Sequence, residues 1–354
     1  MSQVAVSPVG TMARRGELGA PWWNDSCEPG ELSDAVAHGA VGATSNPVIV
    51  GNVVKADPGR WLPEVDALIA GNPIDTEVEI AWKLIAQIGE IAAAILKPVH
   101  DRTAGAAGYL CLQVNPTLYP DAGRMVEHAV SLRSVADNIA IKIPCTAAGL
   151  KAVEELTRRG IAVNVTVSFS VPQAVAAAEA IERGMRDARD PGSIHPYVTV
   201  MRGRLDDHLK RVRDADGIEI DPGALEWAGI AVFKRAAAIF QERGFRATLL
   251  GAAFRNIMQW SATIGPNVLQ TIPYENWKKF DSAEVDVRPS LNEPVEASYL
   301  KALQTGFGDF RRSYEPDGMT PDEFAGYGPS IHTLNQFIDG YYELLGIVRG
   351  RMLA

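Results

Sequence analysis

Short runs of apolar, mostly β-branched residues recur along the chain and predict eight strands. Several runs, such as Ile139–Ile141 and Thr248–Leu250, are apolar on both faces, which is typical of a parallel sheet covered by helices. The predicted strands are Trp22–Asp25, Val41–Pro47, Tyr109–Pro116, Asn138–Pro144, Ile161–Val167, Tyr197–Met201, Ala247–Ala253 and Val268–Pro273.

Segments with helical spacing of apolar residues separate these strands. Residues 150–156 and 230–240 each place apolar side chains on one face, and Gly160 and Gly244 follow them. Glycine is a common helix end, because it adopts the left-handed conformation without a Cβ penalty. The alternation of strands and helices predicts an α/β protein, a (β/α)8 TIM barrel. An open doubly wound sheet is the competing fold, but no GxGxxG sequence follows the first strand.

The last part of the chain has a different pattern, and we predict two regions. Residues 1–280 form the barrel catalytic domain, and residues 281–354 form a C-terminal extension packed on it. The extension carries polar, proline-bounded segments at Arg288–Pro294 and Glu315–Pro321 and ends in an apolar-periodic helix, Leu334–Leu353. It is expected to be a helical appendage rather than a second catalytic domain.

Composition narrows the class of protein. The 354 residues carry a net charge of −9, which disfavours a nucleic-acid partner. Three cysteines do not make a disulfide framework, and the first twenty residues lack the apolar segment of a signal peptide. The richest apolar stretch is too short to span a bilayer, so no membrane partner is expected. We expect a soluble cytoplasmic protein whose oligomeric state is open, with a homo-oligomer as one option.

Polar side chains inside the apolar runs are the candidates for chemistry. Lys142 lies in Ile139–Pro144, near the end of the fourth strand. Burial would lower the pKa of its ammonium group and make the neutral amine available as a nucleophile toward a carbonyl. The alternative is a structural lysine at an edge or beside a buried carboxylate.

Other polar residues lie where strands are expected to end, which is where barrel enzymes carry their catalytic groups. Asn164 and Thr166 are two residues apart and share one face of strand five. Thr44 and Asn46 end strand two, although Asn-Pro is also a turn signal. Asp25 ends strand one, although it could equally cap a helix.

Two arginines follow strands six and seven. Arg204 and Arg255 could bind phosphate, for which barrels often have a site near the last strands, or could be solvated or ion-paired. The acidic pair Asp206–Asp207 is expected on a solvated helix surface. The histidines show no metal-ligand spacing, so no metal site is expected.

Several of these segments together resemble the transaldolase family. The matching motifs are Thr44–Pro47, the lysine strand Ile141–Thr146 with Gly149–Leu150, the strand Gly160–Thr166 with Phe169–Ser170, Gly203–Arg204 with Asp206, and Gly251–Asn256. They occur in the family's order between about residues 20 and 280.

The resemblance implies a barrel enzyme without a metal or organic cofactor, whose partners are small sugar phosphates. Lys142 would form a Schiff base with the ketone of a ketose phosphate. Asp25, or its neighbour Asn24, would assist proton transfer during C–C cleavage, and Thr166 would hold a water used in imine formation. Substrate binding would fall to Asn46, Asn164, Thr44, Thr199, Arg204 and Arg255.

The chain also departs from the family's pattern. Gln113 stands where the usual transaldolase has a glutamate, and the related fructose-6-phosphate aldolases have a glutamine there. That branch also uses a tyrosine near strand six, whereas this chain has Thr199–Met201 there and no such tyrosine, and Ala253 replaces a serine before the second arginine. Three functions stay open: a transaldolase moving a dihydroxyacetone unit, an aldolase-like lyase releasing dihydroxyacetone, and a non-catalytic phosphosugar-binding barrel.

Overall fold

A computed structural model describes residues 11–354 and contains a closed barrel of eight parallel strands, each paired with the next and the last with the first. The strands are β1 Trp22–Asn24, β2 Gly42–Thr44, β3 Tyr109–Gln113, β4 Ile139–Pro144, β5 Val163–Thr166, β6 Tyr197–Met201, β7 Thr248–Ala252 and β8 Val268–Ile272. The predicted TIM barrel and all eight predicted strands are therefore confirmed.

Helices follow the strands and cover the outside of the barrel. They are α1 Thr11–Glu17, α2 Pro29–Ala37, α3 Pro47–Ala56, α4 Pro58–Gly71, α5 Glu77–Arg102, α6 Ala122–Arg133, α7 Ala147–Arg158, α8 Val171–Arg186, α9 Arg202–Asp216, α10 Pro222–Glu226, α11 Ala228–Arg243, α12 Met258–Ser261, α13 Tyr274–Ser282, α14 Ala297–Gly306, α15 Gly308–Tyr314 and α16 Gly328–Met352. Short 3₁₀ helices occupy Pro116–Leu118, Pro191–Ser193 and Pro321–Gly326. Gly160 and Gly244 have positive φ, as the predicted helix ends require.

Two strands end earlier than predicted because the following residues begin a helix. Asn46 is the N-cap of α3, with its side-chain oxygen accepting a hydrogen bond from the Ile49 amide at 3.0 Å. Asn115 caps the 3₁₀ helix at residues 116–118 in the same way. Proline follows each asparagine, and proline suits the first helical position because no N–H is needed there. The Asn-Pro pairs are thus helix starts at the carboxyl end of the barrel.

Large aromatic side chains fill the amino-terminal half of the barrel interior. The rings of Trp23 and Tyr197 pack edge to face with centroids 4.6 Å apart, and both residues are buried. Gly42 makes room for the Trp23 ring, since a Cβ there would lie 2.5 Å from the indole. This packing fills the barrel interior below the carboxyl ends of the strands.

The helix α16 crosses the carboxyl end of the barrel. It packs against α3 and α5 on one side and against α9, which follows β6, on the other. Gly340 allows close contact, since a Cβ there would lie 2.4 Å from the Val48 side chain of α3. The helix begins at Gly328, six residues before the predicted Leu334, and has a proline in its first turn, where proline is accepted. The domain boundary at residue 280 stays a prediction.

Within residues 11–354, the structure contains no helix long and apolar enough to cross a membrane.

Candidate active site

A cavity of about 190 Å³ lies inside the barrel at the carboxyl ends of the strands. Its lining comes from most of the strands, from the segments that follow them, and from the helices α9 and α16. The lining residues are Asp25, Thr44, Asn46, Lys142, Thr166, Thr199, Met201, Arg204, Ala252, Ala253, Phe254, Arg255, Thr271, Pro273 and Phe337. The structure therefore brings eight of the ten predicted site residues to one cavity, and Gln113 and Asn164 lie outside this lining.

Lys142 is a buried amine at the bottom of this cavity. Its side chain is 5% exposed, and Nζ donates a hydrogen bond to the backbone carbonyl of Ser45 at 3.2 Å. Burial lowers the pKa of Lys142, and the negative charge of Asp25 opposes that shift. An amine with a lowered pKa is present in its neutral, nucleophilic form for a larger fraction of the time at neutral pH.

Asp25 faces Lys142 across the cavity and ends a chain of hydroxyl groups. Thr44 Oγ1 donates a hydrogen bond to Asp25 Oδ1 at 2.5 Å and lies 2.6 Å from Thr271 Oγ1. A hydroxyl has one proton, so Thr271 must donate to Thr44 when Thr44 donates to Asp25. Burial raises the pKa of the Asp25 carboxyl, whereas Lys142, the Thr44 hydrogen bond and Arg204 lower it. Asp25 is thus placed to exchange a proton near the amine.

Asn24, the alternative to Asp25, points away from the cavity. Successive side chains of a strand face opposite sides, and the neighbouring Trp23 fills the barrel interior. Asn24 is buried outside the barrel and its Nδ2 donates to the Ser26 carbonyl at 3.1 Å. The interpretation of Asp25 as a helix cap also fails, because Glu28 caps α2.

Gln113 and Asn164 flank Lys142 in the barrel wall. Lys142 is in register with Gln113 on β3 and with Asn164 on β5. The Asn164 amide accepts a hydrogen bond from Thr199 Oγ1 at 2.7 Å and donates to Cys111 Sγ at 3.4 Å. Gln113 Oε1 is buried without a hydrogen-bond partner among the described residues. A buried acceptor in this state can take a hydrogen bond from a water or a substrate hydroxyl.

The end of β5 is held in a strained conformation. Thr166 lines the cavity with its hydroxyl 3.9 Å from Met201 Sδ. Val167, the next residue, has φ of 54°, which is a rare conformation for a β-branched residue. Strain of this kind persists where the surrounding structure fixes it, and it is frequent at functional sites. It turns the chain sharply after Thr166 and leaves that hydroxyl facing the cavity.

Two guanidinium groups form the outer wall of the cavity. Arg255 follows β7, and Arg204 lies in the first turn of α9, where its Nη1 donates to Gln336 Oε1 of α16. Gly203 permits the two segments to touch, since a Cβ there would lie 2.1 Å from the Ala253 carbonyl and 2.7 Å from the Arg255 side chain. Ala253 itself has φ of 61°. The backbone thus brings both arginines to one edge of the cavity.

Asp206 is not on a solvated surface as predicted. Its side chain is fully buried, and it accepts hydrogen bonds from the Gly229 amide at 2.7 Å and from Gln259 Nε2 at 2.6 Å. Gln259 Oε1 in turn accepts from the Arg255 amide at 2.6 Å. The prediction was wrong because α9 packs against α11 at this position, which charge alone does not reveal. Asp206 therefore holds the backbone of Arg255 through Gln259.

The buried Asp206 is expected to make stability depend on pH. Burial raises its pKa to about 8 from the usual 3.8, so its contribution to folding is complete below pH 4 and is lost as pH rises to about 8. Between pH 5 and 8.5 the native protein should lose roughly 2 kcal/mol or more of its free energy of unfolding relative to the Asp206→Asn variant, which has no group to ionise at this position. Urea denaturation at both pH values measures this, with Asp216→Asn at the exposed end of α9 as the control. A constant difference across pH would contradict it.

Several residues of the site were missed from the sequence. Thr271 is a polar residue inside an apolar run, which is the signal that identified Lys142, and it could have been found in that way. Phe337 and Gln336 are brought to the site only by the docking of α16. The Ser45 carbonyl contacts Lys142 through the backbone, for which the sequence carries no signal.

No group of three or more histidine, cysteine, aspartate or glutamate side chains in residues 11–354 is arranged to hold a metal ion. The chemistry that this arrangement can support with its own groups is attack on a carbonyl by an amine beside a carboxylate, next to an edge that carries two guanidinium groups.

Comparisons with known proteins agree on one family. Residues 22–315 match the family model described as Transaldolase/Fructose-6-phosphate aldolase. The Transaldolase of Neisseria gonorrhoeae is 28% identical over 336 residues, which are 87% of this chain and 95% of that protein. Transaldolase 1 of Streptomyces coelicolor is 28% identical over 275 residues, covering 73% of this chain and 71% of that protein. Transaldolase 1 of Streptomyces avermitilis is 30% identical over 215 residues, covering 57% of this chain and 56% of that protein.

Proposed function

Because the chain belongs to the transaldolase/fructose-6-phosphate aldolase family, we propose that it is a transaldolase that works through a Schiff base on Lys142. It moves a dihydroxyacetone unit from a ketose phosphate to an aldose phosphate. The observation that carries this proposal is the buried Lys142 amine, which shares a cavity with Asp25 and two arginines. The cavity is small, about 190 Å³, and suits a short carbon chain better than a large ligand.

The reaction begins with attack of the Lys142 amine on the donor's C2 carbonyl. Loss of water gives a protonated imine, which is an electron sink for the next step. The Asp25 carboxylate takes the proton from the C4 hydroxyl, the C3–C4 bond breaks, and its electron pair moves into the imine. An aldose phosphate leaves, and a three-carbon enamine remains on Lys142. Addition of this enamine to an acceptor aldehyde, followed by hydrolysis of the new imine, completes the transfer.

The other residues bind and orient the substrate. Asn46 uses its side-chain oxygen to cap α3, so its NH₂ group is what it offers to a hydroxyl of the enamine. Asn164 is oriented by Thr199, and Thr44 orients Asp25. Thr166 and Gln113 would hold the water of imine formation. Arg204 and Arg255 would bind the phosphate, where a fork of donors matches its oxygens.

A lyase that releases dihydroxyacetone is the second candidate, and Gln113 is the observation that favours it. A glutamine has no titratable proton near neutral pH, so it can position a water but cannot act as an acid or base. Against this candidate, the strand-six segment Thr199–Met201 lacks the tyrosine of that branch, and the relatives compared above bear the name transaldolase. Acceptor dependence separates the two, since a transferase releases little free dihydroxyacetone without an aldehyde acceptor.

Borohydride trapping tests the proposal. The protein is incubated with fructose 6-phosphate, reduced, digested and examined by peptide mass spectrometry. We expect a three-carbon adduct on Lys142, which requires both Schiff-base formation and C–C cleavage. Free dihydroxyacetone is the control carbonyl. Trapping by dihydroxyacetone alone would point to a different donor, and no adduct from either would contradict the proposed function and favour a non-catalytic phosphosugar-binding barrel.

The identity of residue 113 should influence the balance between transfer and lysis. In Gln113→Glu the new carboxylate can take up and return a proton through the water held by Thr166. We expect the ratio of transfer product to free dihydroxyacetone to rise several-fold, measured with a fixed acceptor concentration. Gln113→Leu is the control, since it removes the polar group without adding a base. An unchanged ratio in the glutamate variant would show that Gln113 is not part of the proton-handling set.

We also propose the cytoplasm as the protein's compartment. The three cysteines are buried and free, which suits a reducing environment.

A further inference from the structure

The two arginines at the edge of the cavity differ in their partners. Arg255 is paired with Asp207, which lies on α9 three residues after Arg204. Its Nε lies 3.0 Å from Asp207 Oδ2, and its Nη2 lies 2.7 Å from the same oxygen. Its Nη1 donates to the Phe254 carbonyl at 3.0 Å. A carboxylate of the protein thus occupies one edge of the guanidinium expected to bind phosphate.

Arg204 has no such carboxylate partner in the described residues. It donates to the neutral amide of Gln336, and its Nε is buried without a hydrogen-bond partner among residues 11–354. Burial and the charge of Arg255 lower the pKa of Arg204, whereas Asp207 raises it. The charges of Arg204, Arg255 and Asp207 therefore act on one another, and this edge of the cavity combines two positive groups with one negative group.

We propose that Asp207 is an internal competitor for the phosphate of the substrate and determines how strongly this enzyme prefers phosphorylated donors. The inference rests on the proposed function, since it assigns Arg204 and Arg255 to the phosphate. An incoming phosphate either displaces Asp207 from the Nε–Nη2 edge of Arg255 or binds beside it. In both cases the carboxylate of Asp207 repels the negative charge of the phosphate. The side chain of Asp207 is 29% exposed, so it can turn into solvent when it is displaced.

Asp207 is not needed to hold Arg255 in place. The Arg255 backbone is fixed by Gln259, which Asp206 holds from behind, and Nη1 is fixed by the Phe254 carbonyl. The Arg255 side chain also lies close to Gly203, where a Cβ would come within 2.7 Å of Arg255 Cγ. Loss of the Asp207 charge should therefore leave the guanidinium where it is and free it for an anion.

The variant Asp207→Asn tests this with inorganic phosphate as the probe. Calorimetric titration at constant ionic strength should show phosphate binding roughly tenfold more tightly than to the native protein. The KM for fructose 6-phosphate should fall, while the KM for unphosphorylated dihydroxyacetone should not change. Asp214→Asn is the matched control, because Asp214 is also an α9 aspartate paired with an arginine, but its partner Arg213 does not line the cavity and Asp214 is 66% exposed. Asp207→Ala, which removes the charge and the hydrogen bonds together, is the second variant.

Weaker phosphate binding in both Asp207 variants would overturn the proposal and make Asp207 a positioning residue for Arg255. Unchanged binding would overturn it as well. Borohydride trapping with dihydroxyacetone, run in parallel on the same preparations, reports the Lys142 chemistry without any phosphate. A tenfold gain in phosphate affinity without a dihydroxyacetone adduct on Lys142 would therefore count against the proposed function. A normal adduct without that gain in affinity would count against the role of Asp207 alone.

Discussion

The Lys142→Met enzyme is expected to lose turnover by at least about 10⁴-fold and to form no adduct on borohydride reduction. Methionine keeps an unbranched side chain of similar length but has no amine, so the step that forms the imine is removed. The fold should persist, because a buried ammonium group costs free energy that an apolar side chain does not. We expect the melting temperature of the variant to be equal to or above that of the native protein.

The matched control for this variant is Lys234→Met. Lys234 is also partly buried, and burial lowers its pKa to about 8, but it lies on α11 and donates to the carbonyls of Ser290 and Glu293. Its replacement should leave both turnover and adduct formation intact. Turnover of Lys142→Met above background, in a preparation free of native enzyme, would contradict the Schiff-base mechanism.

The second large effect is expected for Asp25→Asn, where kcat should fall by about 10²–10⁴-fold. The amide can keep the hydrogen bond from Thr44, but it cannot take the proton from the donor's C4 hydroxyl. The imine should still form, because that step belongs to Lys142. Reduction in the presence of fructose 6-phosphate should therefore trap a six-carbon adduct in place of the three-carbon one. Peptide mass spectrometry distinguishes the two directly.

Asn24→Ala provides the comparison for this result. Asn24 is adjacent but faces away from the cavity, so its loss should lower the free energy of unfolding by roughly 1–2 kcal/mol and leave the three-carbon adduct unchanged. A six-carbon adduct in Asn24→Ala and a three-carbon adduct in Asp25→Asn would reverse the assignment of the strand-one residue.

The barrel was predictable from the sequence because its strands are marked by their own residues. Strands buried on both faces need continuous apolar runs, and a polar side chain within such a run is conspicuous. Lys142 and Thr166 were found in that way, and Thr271 could have been. The ends of β2 and β3 were harder to predict, because Asn-Pro is typical of a turn and of a helix start equally.

Features that depend on packing between distant elements were not predictable. The burial of Asp206 follows from the contact of α9 with α11, and the acidic sequence around it gives the opposite indication. Phe337 and Gln336 lie in a helix whose sequence shows only an apolar stripe. Which barrel end that stripe covers is determined by its partners α3, α5 and α9, and no local pattern encodes that choice.

The position of α16 has a consequence for the order of events in folding. β8 pairs with β1 by residue 272, so the barrel can close without α16. In contrast, α16 packs on α3, α5 and α9, so its docking surface exists only after these three helices have taken their places around the barrel. A refolding molecule should therefore hold a reactive lysine in an uncovered barrel for a time. During that interval stray aldehydes in the cell could reach the amine, and the last helix to dock would end this vulnerability.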